Sequence, residues 1–308
     1  MRDAAGKARD FHAVNGVSFR IDHGETVGLV GESGCGKTSV GRALLRLVEP
    51  AAGRIRFEGA DVQGLRGREL KTFRRRAQMI FQDRMGSLNP RLPVGAAIRE
   101  VLHVHHLAGA GGAPARVQTL MNDVGLDAAY AGRYPHEFSG GQRQRLGIAR
   151  ALAVEPVFLV ADEPVSALDV SVQAQILNLL KRLQEERRLA CLFIAHDLAV
   201  VRFICRRTLV MYRGGLVESA LSGDLFARPT HPYTRLLLQS VPDVDRGLAA
   251  RFMPIGGAAE APAAQEAASG CAFAARCPHA ADVCRREIPS RRAIAEGHDV
   301  ACHFAGEI

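Results

Sequence analysis

The stretch Gly31-Glu-Ser-Gly-Cys-Gly-Lys-Thr38 fits the pattern G-x-x-x-x-G-K-[ST] of a phosphate-binding loop. It follows the short apolar run Thr26-Val-Gly-Leu-Val30 and precedes a segment with apolar residues at helical spacing, which Pro50 ends. A strand, a glycine-rich loop and a helix are the context that this pattern needs, because the loop N–H groups and the helix N-terminus then face a phosphate. The sequence therefore predicts a nucleotide-binding protein.

The chemistry of the loop assigns a role to its last residues. The Lys37 ammonium can reach the β and γ phosphates, and the Thr38 hydroxyl can bind Mg²⁺. The predicted nucleotide-binding residues of this segment are Gly31, Glu32, Ser33, Gly34, Cys35, Gly36, Lys37, Thr38 and Ser39.

Continuous apolar runs alternate with amphipathic segments along the chain. Residues 157–161 and 192–195 have the length and composition of strands that are buried on both faces. Val172, Ile176, Leu179, Leu180 and Leu183 have helical spacing. Strands of this kind alternating with helices predict an α/β fold with a mostly parallel sheet.

Two segments depart from this alternation. Residues 84–138 are predicted to be helical, with a Gly- and Ala-rich loop at 108–115, and residues 256–270 have the low complexity of a linker. The length of 308 residues favours about two domains.

Composition excludes several classes of protein. The net charge is +8, but only four of the 40 basic residues are lysines, so the arginine excess resembles a coding bias and gives little support to nucleic-acid binding. No apolar stretch reaches the length of a membrane-spanning helix, and the polar residues 1–10 contain no signal core, so we expect a cytoplasmic chain.

Asp162 and Glu163 directly follow the second apolar run. Carboxylates at the C-terminal end of a buried strand lie where an open α/β sheet binds its ligand. We expect Asp162 to hold Mg²⁺ and Glu163 to polarise the water that attacks the γ phosphate. A helix N-cap is the alternative role for this acidic pair.

Ser139-Gly140-Gly141-Gln142 opens a further helix and offers a second anion site of backbone N–H groups. With this signature, the chain resembles the ATP-binding subunit of an ABC transporter, with a P-loop NTPase-type ABC ATPase core. The resemblance implies ATP and Mg²⁺ as ligands and a head-to-tail pair of subunits, in which the signature of one subunit closes on the ATP of the other.

The resemblance also implies roles for three further residues. Gln82 matches the loop glutamine that contacts magnesium and couples to the membrane partner. Asp169, in Ser166-Ala-Leu-Asp169, matches the loop that crosses the dimer interface, and His196 matches the switch histidine at the γ phosphate. Glu163, His196 and Gln82 are thus the predicted catalytic residues.

Several motifs resemble the oligopeptide/dipeptide importer branch of this family. They are Ser87-Leu-Asn-Pro90, the stretches 134–145 and 161–175, His231-Pro-Tyr-Thr234 and a tail with four cysteines. The resemblance implies an ATPase domain at 1–235, with a helical subdomain inserted at about 84–150, and a C-terminal extension at 236–308.

The function implied by the resemblance is that of the ATP-hydrolysing motor of a peptide importer, at the cytoplasmic face of the inner membrane. Its expected partners are a homologous ATPase subunit, integral membrane permease subunits and, indirectly, an extracytoplasmic substrate-binding protein, with no nucleic acid. The alternative is a soluble ABC-type ATPase that acts on DNA or the ribosome. Such proteins generally carry a long coiled coil or tandem cassettes, and neither is evident in this sequence.

The N-terminal segment departs from the family pattern. Only 30 residues precede Gly31, and Ala8 aligns near the aromatic residue that stacks on adenine in family members. Either this sequence starts late, or Phe11 replaces this aromatic residue imperfectly. A smaller departure is Arg84, where the branch often has proline.

Cys271, Cys277, Cys284 and Cys302 have the spacing C-x5-C-x6-C-x17-C, which differs from the paired C-x2-C of zinc ribbons. Four thiolates suit either tetrahedral zinc or a four-iron cluster. The resemblance implies a 4Fe–4S cluster, with zinc as an alternative and four reduced, packed cysteines as another. Arg276, Arg285 and Arg286 would offset the thiolate charge.

Overall fold

A computed structural model describes residues 12–83, 86, 88–107, 112–239 and 270–307. Ala8, Phe11, Arg84, Ser87 and nearly all of the predicted linker lie outside these ranges. The chain divides into two compact units. In the described residues, the central unit comprises 19–28 and 38–195, and the C-terminal unit comprises 12–18, 29–37 and 196–307.

The strands of the first part of the chain are β1 (Thr26–Val30), β2 (Arg56–Phe57), β3 (Ala60–Asp61), β4 (Ala77–Ile80), β5 (Phe158–Asp162) and β6 (Ala190–Ala195). The first three residues of β1 belong to the central unit and its last two to the C-terminal unit. In the central unit β4, β5 and β6 are parallel, with Ala77 opposite Phe158 and Phe158 opposite Ala190. Strands β2 and β3 form a separate hairpin.

The helices that begin in this part of the chain are α1 (Lys37–Leu44), α2 (Gly67–Arg76), α3 (Val94–Val104), α4 (Gly112–Asp123), α5 (Gly140–Leu152) and α6 (Val170–Arg187). Short 3-10 helices occupy Ala128–Gly132 and Pro135–Glu137. Helix α6 buries Ile176, Leu179, Leu180 and Leu183, four of the five residues predicted at helical spacing. Arg188, directly after the helix, adopts a left-handed conformation with φ 49°.

The predicted α/β fold is confirmed. Helices α3 and α4 pack against each other and against α5, which also contacts β4 and α6. The predicted loop at 108–115 is too long at its C-terminal side, because α4 already begins at Gly112. No helix in the described ranges is long and apolar enough to cross a membrane.

The C-terminal unit contains β7 (Arg207–Tyr212), β8 (Gly215–Leu221), β9 (Arg292–Ala295) and β10 (His298–Val300), with α7 (Leu198–Ile204), α8 (Ser222–Ala227), α9 (Pro232–Gln239) and α10 (Asp282–Arg286). Its antiparallel strand order is β7-β8-β10-β9, with Asp299 opposite Ser219. Residues beyond position 270 thus extend the sheet that β7 and β8 form. The predicted domain boundary at residue 235 stays a prediction.

A buried carboxylate connects these elements. The Glu218 side chain, on β8, is fully buried and accepts hydrogen bonds from the N–H groups of Thr230 (2.8 Å) and His231 (3.0 Å). Nε2 of His298, on β10, lies 2.8 Å from the same carboxylate. Burial lowers the pKa of His231 to about 4, so its imidazole is neutral, and its Nδ1 accepts a bond from the N–H of Tyr233. Glu218 therefore joins β8, the start of α9 and β10.

We expect Glu218→Ala to lower the free energy of unfolding by about 3 kcal/mol, because two buried N–H groups and His298 lose their acceptor. Glu218→Gln keeps one acceptor oxygen and should cost less. Glu296→Ala, in the exposed turn between β9 and β10, is the matched control and should change stability by less than about 0.5 kcal/mol. Urea unfolding measures all three. Equal effects of Glu218→Ala and Glu296→Ala would contradict the role of the buried carboxylate.

Candidate nucleotide-binding site

The phosphate loop, residues 31–36, joins β1 to α1 and lies against other backbone segments of the C-terminal unit. A Cβ atom at Gly31 would lie 2.1 Å from the carbonyl oxygen of Met211, and one at Gly36 would lie 2.1 Å from that of Ala13. Gly36 also has φ +105°, a conformation that residues with side chains rarely adopt. Only glycine fits these two positions, as the sequence pattern requires.

The Lys37 side chain is folded back into this loop. It is almost fully buried, and its Nζ donates to the carbonyl oxygens of Gly31 (2.7 Å) and Glu32 (2.9 Å). The Cys35 sulfur lies 3.8 Å from the same nitrogen, and burial raises the pKa of the Cys35 thiol. The Lys37 ammonium group is thus held by the backbone of the loop, and its contact with phosphate stays a prediction.

Glu32, the second residue of the loop, is held by two residues from the other end of the chain. Its N–H donates to the Tyr233 hydroxyl at 2.9 Å. Its carboxylate forms two hydrogen bonds of 2.9 Å with the guanidinium of Arg276. The hydrogen bond to Glu32 raises the pKa of Arg276, and burial raises that of Tyr233.

Two pairs of predicted site residues meet at the C-terminal end of β5. The Thr38 hydroxyl donates to Oδ1 of Asp162 at 3.0 Å, and Asp162 is buried as the last residue of the strand. Nε2 of Gln82 donates to Oε2 of Glu163 at 2.8 Å. The sheet brings these residues together because β4, which precedes Gln82, is parallel to β5 and adjacent to it.

The backbone at Glu163 is in an uncommon conformation. Its φ is +45°, and its N–H donates to the carbonyl oxygen of Ile194 at 2.9 Å. The Ser166 hydroxyl donates to the Glu163 carbonyl at 3.0 Å. A non-glycine residue at positive φ is held there by its surroundings, and such positions are enriched at functional sites.

The signature residues form the N-terminus of α5. The Ser139 hydroxyl accepts from the Gln142 N–H (3.3 Å), and the Gln142 side chain accepts from the Ser139 N–H (2.9 Å), which is a reciprocal capping box. A Cβ at Gly141 would lie 2.4 Å from Cγ1 of Val172, so α5 and α6 approach closely there. Gly140 begins the helix.

Two further predicted site residues, Asp169 and His196, lie directly before α6 and directly after β6. Asp169 is the N-cap residue of α6, without a side-chain capping bond. His196 follows β6 directly, is exposed, and belongs to the C-terminal unit.

The four C-terminal cysteines line one cavity together with Phe273 and Phe304. All four are free thiols, and burial raises the pKa of Cys271, Cys277 and Cys302. However, no group of three or more His, Cys, Asp or Glu side chains within the described ranges could hold a metal ion. The expected zinc or iron–sulfur centre has no support from the positions of these side chains.

The sequence did not reveal the contacts of Tyr233 and Arg276 with the loop. Tyr233 lies in the motif His231-Pro-Tyr-Thr234. This motif supported the family resemblance, but it suggested no chemical role for Tyr233. Arg276 was expected to offset thiolate charge, but its guanidinium pairs with Glu32 instead. The Arg276 guanidinium also lies over the rings of Tyr212 and Phe273, a contact that no sequence pattern reports.

The phosphate loop, the carboxylates that end β5 and the Ser-Gly-Gly-Gln signature are each features of a P-loop ATPase with an α/β fold. Residues 14–166 match the family model described as ABC transporter, and residues 217–284 match the one described as oligopeptide/dipeptide transporter, C-terminal region. A relative from Bacillus subtilis, the oligopeptide transport ATP-binding protein AppF, is 47% identical over 97% of this chain and 91% of its own length. The chain belongs to the ABC transporter family.

Further relatives and structures agree with this assignment. A Brucella ovis protein described as a candidate peptide import ATP-binding protein is 50% identical over 94% of this chain and 90% of its own. The structure of cbiO1 from Clostridium perfringens, described as part of the ABC transporter complex cbiONQ, has a TM-score of 0.64 and 25% identity, covering 70% of this chain and 84% of that one. The dimeric cassette MJ0796, bound to ADP and phosphate after hydrolysis, has a TM-score of 0.62 and 29% identity, covering 69% and 91%. The family resemblance drawn from the sequence is confirmed, and the chain is an ABC ATPase.

We expect Gly36→Ala to abolish most nucleotide binding, because its Cβ would collide with the Ala13 carbonyl and its φ would be strained. Gly223→Ala, on α8, adds the same methyl group where nothing lies within 4 Å, and serves as the control. Titration with a fluorescent ATP analogue measures the dissociation constant. Binding by Gly36→Ala that equals that of Gly223→Ala would contradict the close approach seen in the loop.

Proposed function

We propose that this chain is the ATP-hydrolysing motor subunit of an ABC importer for peptides. The observation that carries the proposal is the hydroxyl of Thr38 at 3.0 Å from the buried carboxylate of Asp162, directly after the lysine of the phosphate loop. The names of the relatives, which refer to peptide import and oligopeptide transport, support peptides as the cargo. They do not favour an ATPase that acts on DNA or the ribosome.

ATP would bind with its phosphates against the loop from Gly31 to Gly36 and the first residues of α1, including Ser39. The N–H groups of this segment and the Lys37 ammonium supply positive charge. Lys37 already donates to two carbonyl oxygens of the loop. When ATP binds, phosphate oxygens would replace these carbonyls as acceptors.

Magnesium would be held by Thr38, Asp162 and Gln82. Hydroxyl, carboxylate and amide oxygens are the ligands that this hard cation prefers, so the donor set fits the ion. Nε2 of Gln82 donates to Glu163, which leaves its amide oxygen for the metal. When bound, Mg²⁺ would neutralise charge on the β and γ phosphates.

Glu163 would orient and deprotonate the attacking water, and His196 would contact the γ phosphate. The water oxygen bonds to the γ phosphorus as the bond to the β–γ bridging oxygen breaks, giving ADP and phosphate. The hydrogen bond from Gln82 orients the Glu163 carboxylate, and the positive φ of Glu163 sets the direction of its Cα–Cβ bond.

The signature and Asp169 would act across a dimer of ATPase subunits. Ser139, Gly140, Gly141 and Gln142 present the N-terminus of α5, whose N–H groups favour an anion. We propose that this surface closes on the ATP of a homologous subunit, with Asp169 at the interface. The dimeric state of the MJ0796 cassette supports this arrangement.

Membrane permease subunits would convert the closing and opening of this dimer into transport. The chain would then be peripheral, at the cytoplasmic face of the inner membrane, and would contact an extracytoplasmic substrate-binding protein only through the permease. The place of cbiO1 in the cbiONQ transporter complex supports a membrane partner. Co-purification with permease subunits tests it.

We expect Glu163→Gln to retain ATP affinity while the turnover number falls by about 100-fold or more, since the amide cannot accept the proton of water. Glu185→Gln, on the exposed part of α6, makes the same chemical change away from the site and should keep normal turnover. Phosphate release and ATP titration measure the two quantities. An unchanged rate in Glu163→Gln would remove Glu163 from the catalytic role.

The iron–sulfur centre stays a prediction that the side-chain positions do not support, although the four cysteines line one cavity. If it forms, protein purified without oxygen should absorb visible light and contain iron, and Cys277→Ser should lose both signals. Cys205→Ser, a buried cysteine directly after α7, is the control. Colourless, metal-free protein with an intact extension would reject both the iron and the zinc versions.

A further inference from the structure

Two side chains, those of Tyr233 and Arg276, form hydrogen bonds with the second residue of the phosphate loop. We term this pair the loop clamp. Tyr233 accepts the backbone N–H of Glu32, and Arg276 binds the Glu32 carboxylate through both terminal nitrogens. Tyr233 lies on α9, and Arg276 lies 244 positions after Glu32, in the segment that also contains the four cysteines. All three residues belong to the C-terminal unit.

Buried aromatic rings hold the clamp in place. Phe273 packs against Tyr212 at 5.3 Å and against Tyr233 at 5.4 Å between ring centroids, and all three rings are nearly fully buried. The Arg276 guanidinium lies 5.8 Å from the Tyr212 centroid and 5.7 Å from that of Phe273. The guanidinium of Arg276 thus packs on buried aromatic rings while it binds the Glu32 carboxylate.

The partial exposure of the ion pair indicates what it does. The side chains of Arg276 and Glu32 are 36% and 40% exposed, and pairs of this kind contribute little to stability. Two parallel hydrogen bonds nevertheless define the position of a carboxylate closely. The carbonyl of Glu32 also accepts from Nζ of Lys37, so a displacement of Glu32 would move one acceptor of the phosphate-binding lysine.

We propose that Arg276 is a positioning residue for the nucleotide site, which fixes the phosphate loop through Glu32 and neutralises that carboxylate. The inference rests on the proposed function, and it makes the C-terminal extension a part of ATP binding. Without Arg276, an unpaired negative charge would remain on the loop that receives the triphosphate, and its repulsion would weaken ATP binding.

Arg276→Ala should raise the KM for ATP by about threefold to tenfold, with a smaller change in kcat, because the loss concerns ground-state binding of the phosphates. Arg276→Lys keeps the charge but not the paired hydrogen bonds, and should give an intermediate KM. Arg285→Ala, an exposed arginine on α10, removes the same charge from the same segment and should leave the KM unchanged.

The double variant Glu32→Gln/Arg276→Ala separates positioning from folding. Removing the carboxylate should recover part of the affinity lost in Arg276→Ala, whereas a purely structural arginine would give no recovery. Thermal unfolding should shift little in Arg276→Lys. The measurements are steady-state ATP hydrolysis and ATP titration of the full-length chain.

The outcomes distinguish the two proposals. A wild-type chain that neither binds nor hydrolyses MgATP would overturn the proposed function, and the role of Arg276 with it. An active wild type with the same KM in Arg276→Ala and Arg285→Ala would overturn the role of Arg276 alone. Failure of Glu32→Gln to restore any ATP affinity in the Arg276→Ala background would also overturn the role of Arg276.

Discussion

The backbone of the phosphate loop lies in direct contact with two other backbone segments, with no space for side chains between them. The carbonyls of Met211 and Ala13 occupy the positions that Cβ atoms at Gly31 and Gly36 would need. The loop is also hydrogen-bonded to the turn after β7, since the N–H of Gly214 donates to the Cys35 carbonyl and the Gly214 carbonyl accepts from Asn15. Because interiors packed in this way deform little, the loop geometry depends on the sheet around it.

Four charged groups of the site have protein partners among the described residues. Lys37 is bound to carbonyls of the loop, Glu32 to Arg276, Asp162 to the Thr38 hydroxyl and Glu163 to the Gln82 amide. Pairs of this kind hold the groups in place at small energetic cost, since hydrogen bonds compensate the loss of water. The same donors and acceptors can then be exchanged for phosphate oxygens, metal and water, which suits a site that must bind and release nucleotide repeatedly.

Local patterns predicted the elements that carry the site. The run 157–161 corresponds to β5 within one residue, and the helix that begins after Ser139 is capped as its Ser and Gln residues indicate. Contacts between distant segments could not be predicted in this way. Arg276 and Glu32 are 244 positions apart, and no periodicity or spacing reports such a pair. The four cysteines were expected to bind a metal centre because of the family resemblance, whereas ligand geometry depends on side-chain positions that spacing alone does not define.

The buried Glu218 has a consequence for the order in which the chain becomes structured. Two of its partners follow within 13 positions, but His298 comes 80 positions later, on the strand that covers the edge of β8. During synthesis, β7 and β8 therefore emerge from the ribosome well before β10 exists. In that interval β8 has an open edge and a carboxylate without its imidazole neighbour, and open edges invite pairing with other chains. Correct assembly of this half of the protein thus depends on completion of its last residues.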